Sequence, residues 1–219
     1  MRIVCLSDTH GQHESISIPD GDIVVHAGDI TRRGTLSEVK VFLDWYAHLP
    51  HKYKIFIAGN HDKCFEKEKE KVLPLIPSNV LYLEDSGAQI ENFYIWGSPY
   101  TPKFLNWAFC KNRGKEILYH WQKIPLHTNI LVTHGPPKSI LDQTYRGHSV
   151  GCQDLMDMVI LLPQLRLHIF GHIHEAQGVY QQNDCIFVNA SILNQSYQQV
   201  NLPTVIDLQV HKSSKQKIV

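Results

Sequence analysis

The chain has 219 residues, 43% of them apolar and 19% charged. That is the size and make-up of one globular domain, and it excludes a disordered or fibrous polymer. Lys plus Arg and Asp plus Glu both total 21, so no net field gathers nucleic acid or anionic membrane, and no apolar run approaches the roughly 20 residues that span a bilayer.

Taken in chain order, short apolar runs alternate with helical patterns, the layout of an α/β domain. Residues 3–7 are expected as a first buried strand, leading into Asp8-Thr9-His10. Residues 23–26 are expected as a second, leading into Gly28-Asp29. A helix follows Gly34: Thr35 and Glu38 form a capping-box pattern, and Val39, Phe42, Leu43 and Tyr46 share one face. Residues 54–58 predict a third strand, before Gly59-Asn60-His61-Asp62. The alternating acids and bases of 66–71 read as a solvated helix face. Residues 80–96 predict short strands turning at Ser86-Gly87. A weaker helix is expected at 114–122, a strand at 130–133 before His134, and a helix at 153–162 stopped by Pro163. The strand expected at 167–170 precedes Gly171-His172-Ile173-His174, and a hairpin over 179–188 turns at Gln182-Asn183-Asp184. The reading is one domain over residues 1–210 with a frayed tail at 211–219.

Five unpaired-looking cysteines argue against a disulfide framework, and the start of the chain is strand-like rather than a secretory leader. A cytoplasmic location is the simplest expectation. The unusual residue is histidine, with 14 copies. Each of the five buried strands ends in a cluster of Asp, His or Asn, and in open α/β sheets ligands gather at the carboxyl ends of strands. Asp8, His10, Asp29, Asn60, His134, His172 and His174 are oxygen and nitrogen donors suited to Mn²⁺, Fe²⁺, Zn²⁺ or Ni²⁺. They are too many for one ion and suit two sharing a carboxylate. Such a pair holds a bridging hydroxide and polarises a phosphoryl oxygen.

These five blocks together resemble the signature of calcineurin-like metallophosphoesterases. Gly97-Ser98-Pro99-Tyr100-Thr101-Pro102, Thr133-His134-Gly135-Pro136-Pro137, Phe170-Gly171-His172-Ile173-His174-Glu175 and Val188-Asn189-Ala190-Ser191 are similar to the metallophosphoesterase-domain-containing group, related to class III cyclic-nucleotide phosphodiesterases. The resemblance implies an α/β four-layer sandwich of two mixed β-sheets flanked by helices. It also implies two divalent transition-metal ions, Mn favoured. Asp8, His10 and His174 would hold one, Asn60, His134 and His172 the other, and Asp29 would bridge. His61 would be the general acid, Asp62 would orient it, and Asn60 and His61 would also meet the substrate.

Arg33 is a candidate phosphate contact, since its place resembles an arginine of the protein-phosphatase block. Arg32 stands where the purple acid phosphatase branch carries a tyrosine ligand, which argues against that branch. His148 is a candidate for the substrate rim. Trp96, Tyr100, Phe104, Trp107 and Phe109 read first as core and second as an aromatic platform. The function expected is a phosphodiesterase acting on small diesters, cyclic nucleotides among them, through a metal-bridging hydroxide. The alternatives are a phosphomonoesterase and a metal-bound scaffold with little turnover. No membrane or nucleic-acid partner is expected, and the sequence names no protein partner.

Overall fold

Alternation along the first strand decides the layering. The computed structural model describes residues 1–209; the expected tail at 211–219 lies outside them. In β1 (Arg2–Leu6), Ile3 and Cys5 turn to one face and Val4 and Leu6 to the other, all fully buried. A strand buried on both faces sits inside stacked layers, not at a solvated surface.

β2 (Ile23–Ala27) and β3 (Tyr53–Ile57) follow in parallel, joined by α1 (Leu36–Ala47). The short helices α2 (Lys63–Lys67) and α3 (Lys69–Val72) lead to β4 (Leu81–Tyr82). With the late strand β13 (Thr204–Asp207) antiparallel at its edge, the first sheet has the order β13-β1-β2-β3-β4.

The second sheet begins with the hairpin of β5 (Ser86–Ile90) and β6 (Phe93–Ser98). β7 (Thr101–Pro102) and β8 (Cys110–Lys111) form a small ladder, and α4 (Lys115–Trp121) precedes β9 (Ile130–Thr133). After α5 (Gln153–Ile160) come β10 (Leu167–Phe170), β11 (Gly178–Gln182) and β12 (Cys185–Asn189). The order is β11-β12-β10-β9-β6-β5, with the four central strands parallel and both edges antiparallel.

Three apolar layers bind these elements. Ile3, Val25, Ile55 and Ile57 of the first sheet meet Ile95, Val132, Ile169 and Val188 of the second. Outside the first sheet, Val39, Phe42, Leu43 and Tyr46 of α1 cover Val4, Val24 and Phe56, each such side chain contributing about 1.5–3 kcal/mol on burial. Outside the second, Ile117 and Trp121 of α4 and Leu155 and Val159 of α5 cover Leu131, Phe170 and Phe187. The result is helix, sheet, sheet, helix: the four-layer sandwich with two mixed sheets.

The capping box is present: Thr35 Oγ1 accepts from the Glu38 N–H at 3.3 Å, and Glu38 accepts from the Thr35 N–H at 3.0 Å. One turn differs from expectation. Ser86 and Gly87 lie inside β5, and the reversal falls at Glu91-Asn92, with Glu91 at φ 51. Gly87 serves close packing instead, because a Cβ there would sit 2.6 Å from the Ile95 carbonyl oxygen. The acid–base run at 66–71 is split between α2 and α3, and its apolar neighbours Cys64, Phe65 and Val72 are buried. The five cysteines are free thiols.

Candidate metal centre

The five polar clusters fall at the carboxyl ends of β1, β2, β3, β9 and β10, so both sheets deliver them to one end of the sandwich. The sheets are tied together there. The Ile192 N–H donates to the Ser7 carbonyl at 3.0 Å, and His134 Nδ1 to the Ala27 carbonyl at 2.9 Å. Four residues of the clusters take left-handed backbone: Asp8 (φ 55), His10 (φ 43), Asp29 (φ 56) and His172 (φ 69). Side-chain-bearing residues in this region carry strain of order 1–3 kcal/mol, and it gathers at functional sites. Gly28 (φ 98) meets the same demand, and an added Cβ would lie 2.6 Å from His134 Nδ1.

Backbone carbonyls select the imidazole tautomers. His10 Nδ1 faces the Thr31 carbonyl at 3.3 Å and His174 Nδ1 the Asn194 carbonyl at 3.0 Å. A carbonyl can only accept, so the Nδ1 atoms of His10, His134 and His174 carry protons and turn their Nε2 atoms inward. There the potential ligand atoms converge. His10 Nε2 and His174 Nε2 are 3.4 Å apart, and His174 Nε2 is 3.3 Å from Asp8 Oδ1. His134 Nε2 lies 2.9 Å from Asn60 Oδ1, and Asp29 Oδ2 stands 3.7 Å from His10 Nε2 and 3.5 Å from His134 Nε2.

Asp8 makes the same point with its two oxygens. Oδ2 accepts from the His172 N–H and from Ser191 Oγ, each at 2.9 Å, whereas the buried Oδ1 makes no hydrogen bond and is approached by His174 Nε2 at 3.3 Å. An orphaned carboxylate oxygen is costly unless a cation or proton meets it. The donor set therefore fits divalent transition metal. Two groups of potential ligands share Asp8, one with His10 and His174 and one with Asp29 and His134; a third joins His10, Asp29 and His61. His172 stands beside them, its ring 5.0 Å from that of His134.

The electrostatics follow from packing acids and imidazoles together. Burial opposes the anion at Asp8, yet His174 beside it holds its pKa well below the usual carboxylate range. Burial likewise opposes charge on Asp29, and His134 outweighs it to depress that carboxyl. Burial disfavours the cations of His134 and His174, but Asp29 for the first and Asp8 for the second raise both to about 9. Burial wins at His10, lowered to about 4, and at His172, lowered to about 3.

His61 Nδ1 donates to the Arg32 carbonyl at 2.9 Å, so its Nε2 is the free nitrogen. Its ring lies between Trp107, centroid 4.2 Å away, and His10, 4.5 Å away. Asp62 does not orient that ring. Its carboxylate accepts from the N–H groups of Gly59, Ile30 and Thr31 and from Thr31 Oγ1, at 2.7–3.2 Å. Asp62 thus knits the β2 and β3 end loops together and reaches His61 only through backbone. Burial and then the Asp29 charge raise its pKa to about 7, against those four donors.

A cavity of about 460 Å³ opens over the centre, with Asp29, Asn60, His172 and His174 reaching its floor. Two expected substrate contacts, Arg33 for phosphate and His148 at the rim, are absent from its walls. Arg33 is exposed, because Glu38 captures the N–H groups of Arg32 and Arg33 at 3.1 Å and draws the turn toward α1. His148 is exposed at a loop tip, its carbonyl accepting from the Thr144 N–H at 2.9 Å. The guanidinium in the wall is that of Arg113, and Tyr197 and Glu175 also line it. No sequence pattern marks Arg113 or Tyr197, whereas Glu175 closes the Phe170–Glu175 motif. The aromatic set divides: Trp96 and Phe109 are core, whereas Phe104 and Trp107 line the cavity, Phe104 with 51% of its surface exposed.

A convergent site of this kind, at the shared end of two mixed sheets, defines a metallophosphoesterase, and residues 1–176 match the calcineurin-like phosphoesterase family, to which the chain belongs. It is 41% identical over 237 residues to the human and mouse proteins called metallophosphoesterase domain-containing protein 1, covering 97% of this chain and 72% of each of those. It is 37% identical over 218 residues to UPF0046 protein K07C11.7 of Caenorhabditis elegans, covering 94% of this chain and 74% of that protein. Among the described residues no helix is long and apolar enough to cross a membrane.

Proposed function

We propose that this chain is a binuclear-metal phosphodiesterase, hydrolysing small phosphodiesters, cyclic nucleotides among them, within a single domain. The observation that carries the reading is the convergence of buried ligand-type atoms from distant strands: Asp8 Oδ1 lies 3.3 Å from His174 Nε2, and the Nε2 atoms of His10 and His174 face each other at 3.4 Å. Asp8, His10 and His174 would hold one ion, Asn60, His134 and His172 the second, and Asp29 both. Mn²⁺ is the favoured ion. When bound, the metals polarise a phosphoryl oxygen and lower the pKa of water.

The chain's own residues do the remainder. Carbonyls hold the imidazoles in one tautomer, so no ligand must reorganise as charge develops. His61, with Nε2 free toward the site, would give its proton to the leaving oxygen. The Asn60 amide nitrogen can donate to the phosphoryl group while its oxygen faces His134. Phe104 and Trp107 offer apolar faces on which an aryl group or nucleobase of one ester arm can stack.

The deciding experiment follows metal-stripped protein resupplied with Mn²⁺ on bis(4-nitrophenyl) phosphate and 4-nitrophenyl phosphate. Diester turnover should exceed monoester turnover, require metal, and fall by about three orders of magnitude or more in Asp29→Asn. Bound metal with no turnover of either ester would favour the scaffold alternative.

A further inference from the structure

We propose that Arg113 and Glu175 are positioning residues that hold the loop at 136–152 as a fixed wall of the cleft and thereby set which ester arm the enzyme admits. The loop is long and nearly without regular structure, yet it is wired as one body. Asp142 is buried, and its carboxylate accepts from the N–H groups of Ser139 and Gly151 at 3.0 and 2.9 Å. Lys138 Nζ donates to the Ser149 carbonyl at 2.6 Å, and the Cys152 N–H to the Pro136 carbonyl at 3.0 Å. A Cβ on Gly151 would lie 2.8 Å from Asp142 Oδ2, so the segment closes on itself without slack.

A body this rigid moves as a unit unless it is tied to its surroundings, and two of its ties come from the cavity wall. Arg113 donates through one terminal nitrogen to the Gly151 carbonyl at 2.8 Å and through the other to the Val150 carbonyl at 2.6 Å. A planar fork can span two successive carbonyls, whereas a lysine ammonium supplies a single point. Arg113 is itself seated: the next residue, Gly114, donates its N–H to Asp154 of α5 at 3.1 Å. At the other end, Glu175 Oε1 accepts from the Tyr145 N–H at 2.9 Å. Glu175 directly follows His174, so this tie registers the loop tip on the metal centre. At and beside the two ties, Thr144, Val150 and Gly151 line the cavity. The Arg113 guanidinium is therefore committed to carbonyls rather than to phosphate.

Its kinetic consequence rests on the phosphodiesterase reading, but the geometry does not, and the test separates them. Hydrogen exchange of the peptide covering 139–151 should quicken about tenfold or more in Arg113→Ala, the scale of a lost charge-assisted hydrogen bond, with peptides from β1 and β9 unchanged. Glu175→Ala should act the same way near Tyr145, while Glu175→Gln, which keeps the acceptor oxygen, should track the wild type. With bis(4-nitrophenyl) phosphate, Arg113→Ala should raise KM about tenfold at a kcat within about threefold of wild type. Methyl 4-nitrophenyl phosphate, with the same leaving group and a small retained arm, should keep its KM. Equal losses on both esters, or wild-type exchange in the loop, would overturn the proposal. Should Arg113→Ala loosen the whole molecule, wild-type loop exchange in Glu175→Ala overturns it instead. If the unsubstituted protein turns over neither diester, the phosphodiesterase reading fails and the exchange data still decide the role of the two ties.

Discussion

His61 and its neighbours tie proton chemistry to single atoms. The Arg32 carbonyl fixes one imidazole nitrogen and frees the other. If that nitrogen protonates the leaving group, His61→Asn should slow hydrolysis of an alkyl diester by about 10²–10⁴-fold and of a 4-nitrophenyl diester much less. Rates measured across leaving groups test this; equal losses would remove the ring from proton transfer. The raised histidines give a second prediction. In metal-free protein His134 and His174, both at about 9 against about 6.5 when unfolded, contribute stability fully below pH 6.5. That stability is lost as pH rises through 9. Metal binding requires both rings neutral. Melting temperature should therefore fall between pH 6.5 and 9 in chelator-treated protein and stay nearly level in Mn-loaded protein, as scanning fluorimetry would show.

Among the elements, α1 connects stability to the site. Glu38 does more than complete a capping box, since it also accepts the N–H groups of Arg32 and Arg33, and the Arg32 carbonyl positions His61. Thr35→Ala should cost about 1 kcal/mol with turnover retained. Glu38→Ala should cost about 1–2 kcal/mol and also reduce turnover, because it releases the turn that carries that carbonyl. Denaturant midpoints and diester rates on the same samples separate the two outcomes; full turnover in Glu38→Ala would break the link. The helix was legible from Thr35, Glu38 and its 3.6-residue apolar stripe, whereas β13 was not. Thr204–Asp207 is a strand because Ile206 and Val205 pair with Ile3 and Val4, some two hundred positions away.

At the scale of the molecule, the two sheets share one apolar interface and are tied at the site end through Ser7, Ser191, Ala27 and His134. An ion held by residues from both sheets adds to that tie. Metal at about 100 times its Kd should add about 2.7 kcal/mol per site, so chelation should lower the melting temperature by several degrees. In Asp29→Asn the shift should shrink, and an unchanged shift would place the metal elsewhere. The sequence by itself determined most of the strands, α1 and the candidate donor residues, because strand periodicity, the capping box and five polar clusters after apolar runs are local patterns; the four-layer arrangement was implied by the resemblance to calcineurin-like metallophosphoesterases. Only the tertiary structure decided which nitrogen of each imidazole faces the site, that Asp62 serves the loops rather than His61, and that Arg113, not Arg33, stands in the cleft wall. Tyr197 entered that wall in the same way. These are contacts between residues distant in the chain, set by how carbonyls, charges and rings meet when the sheets close, and no local spacing encodes them.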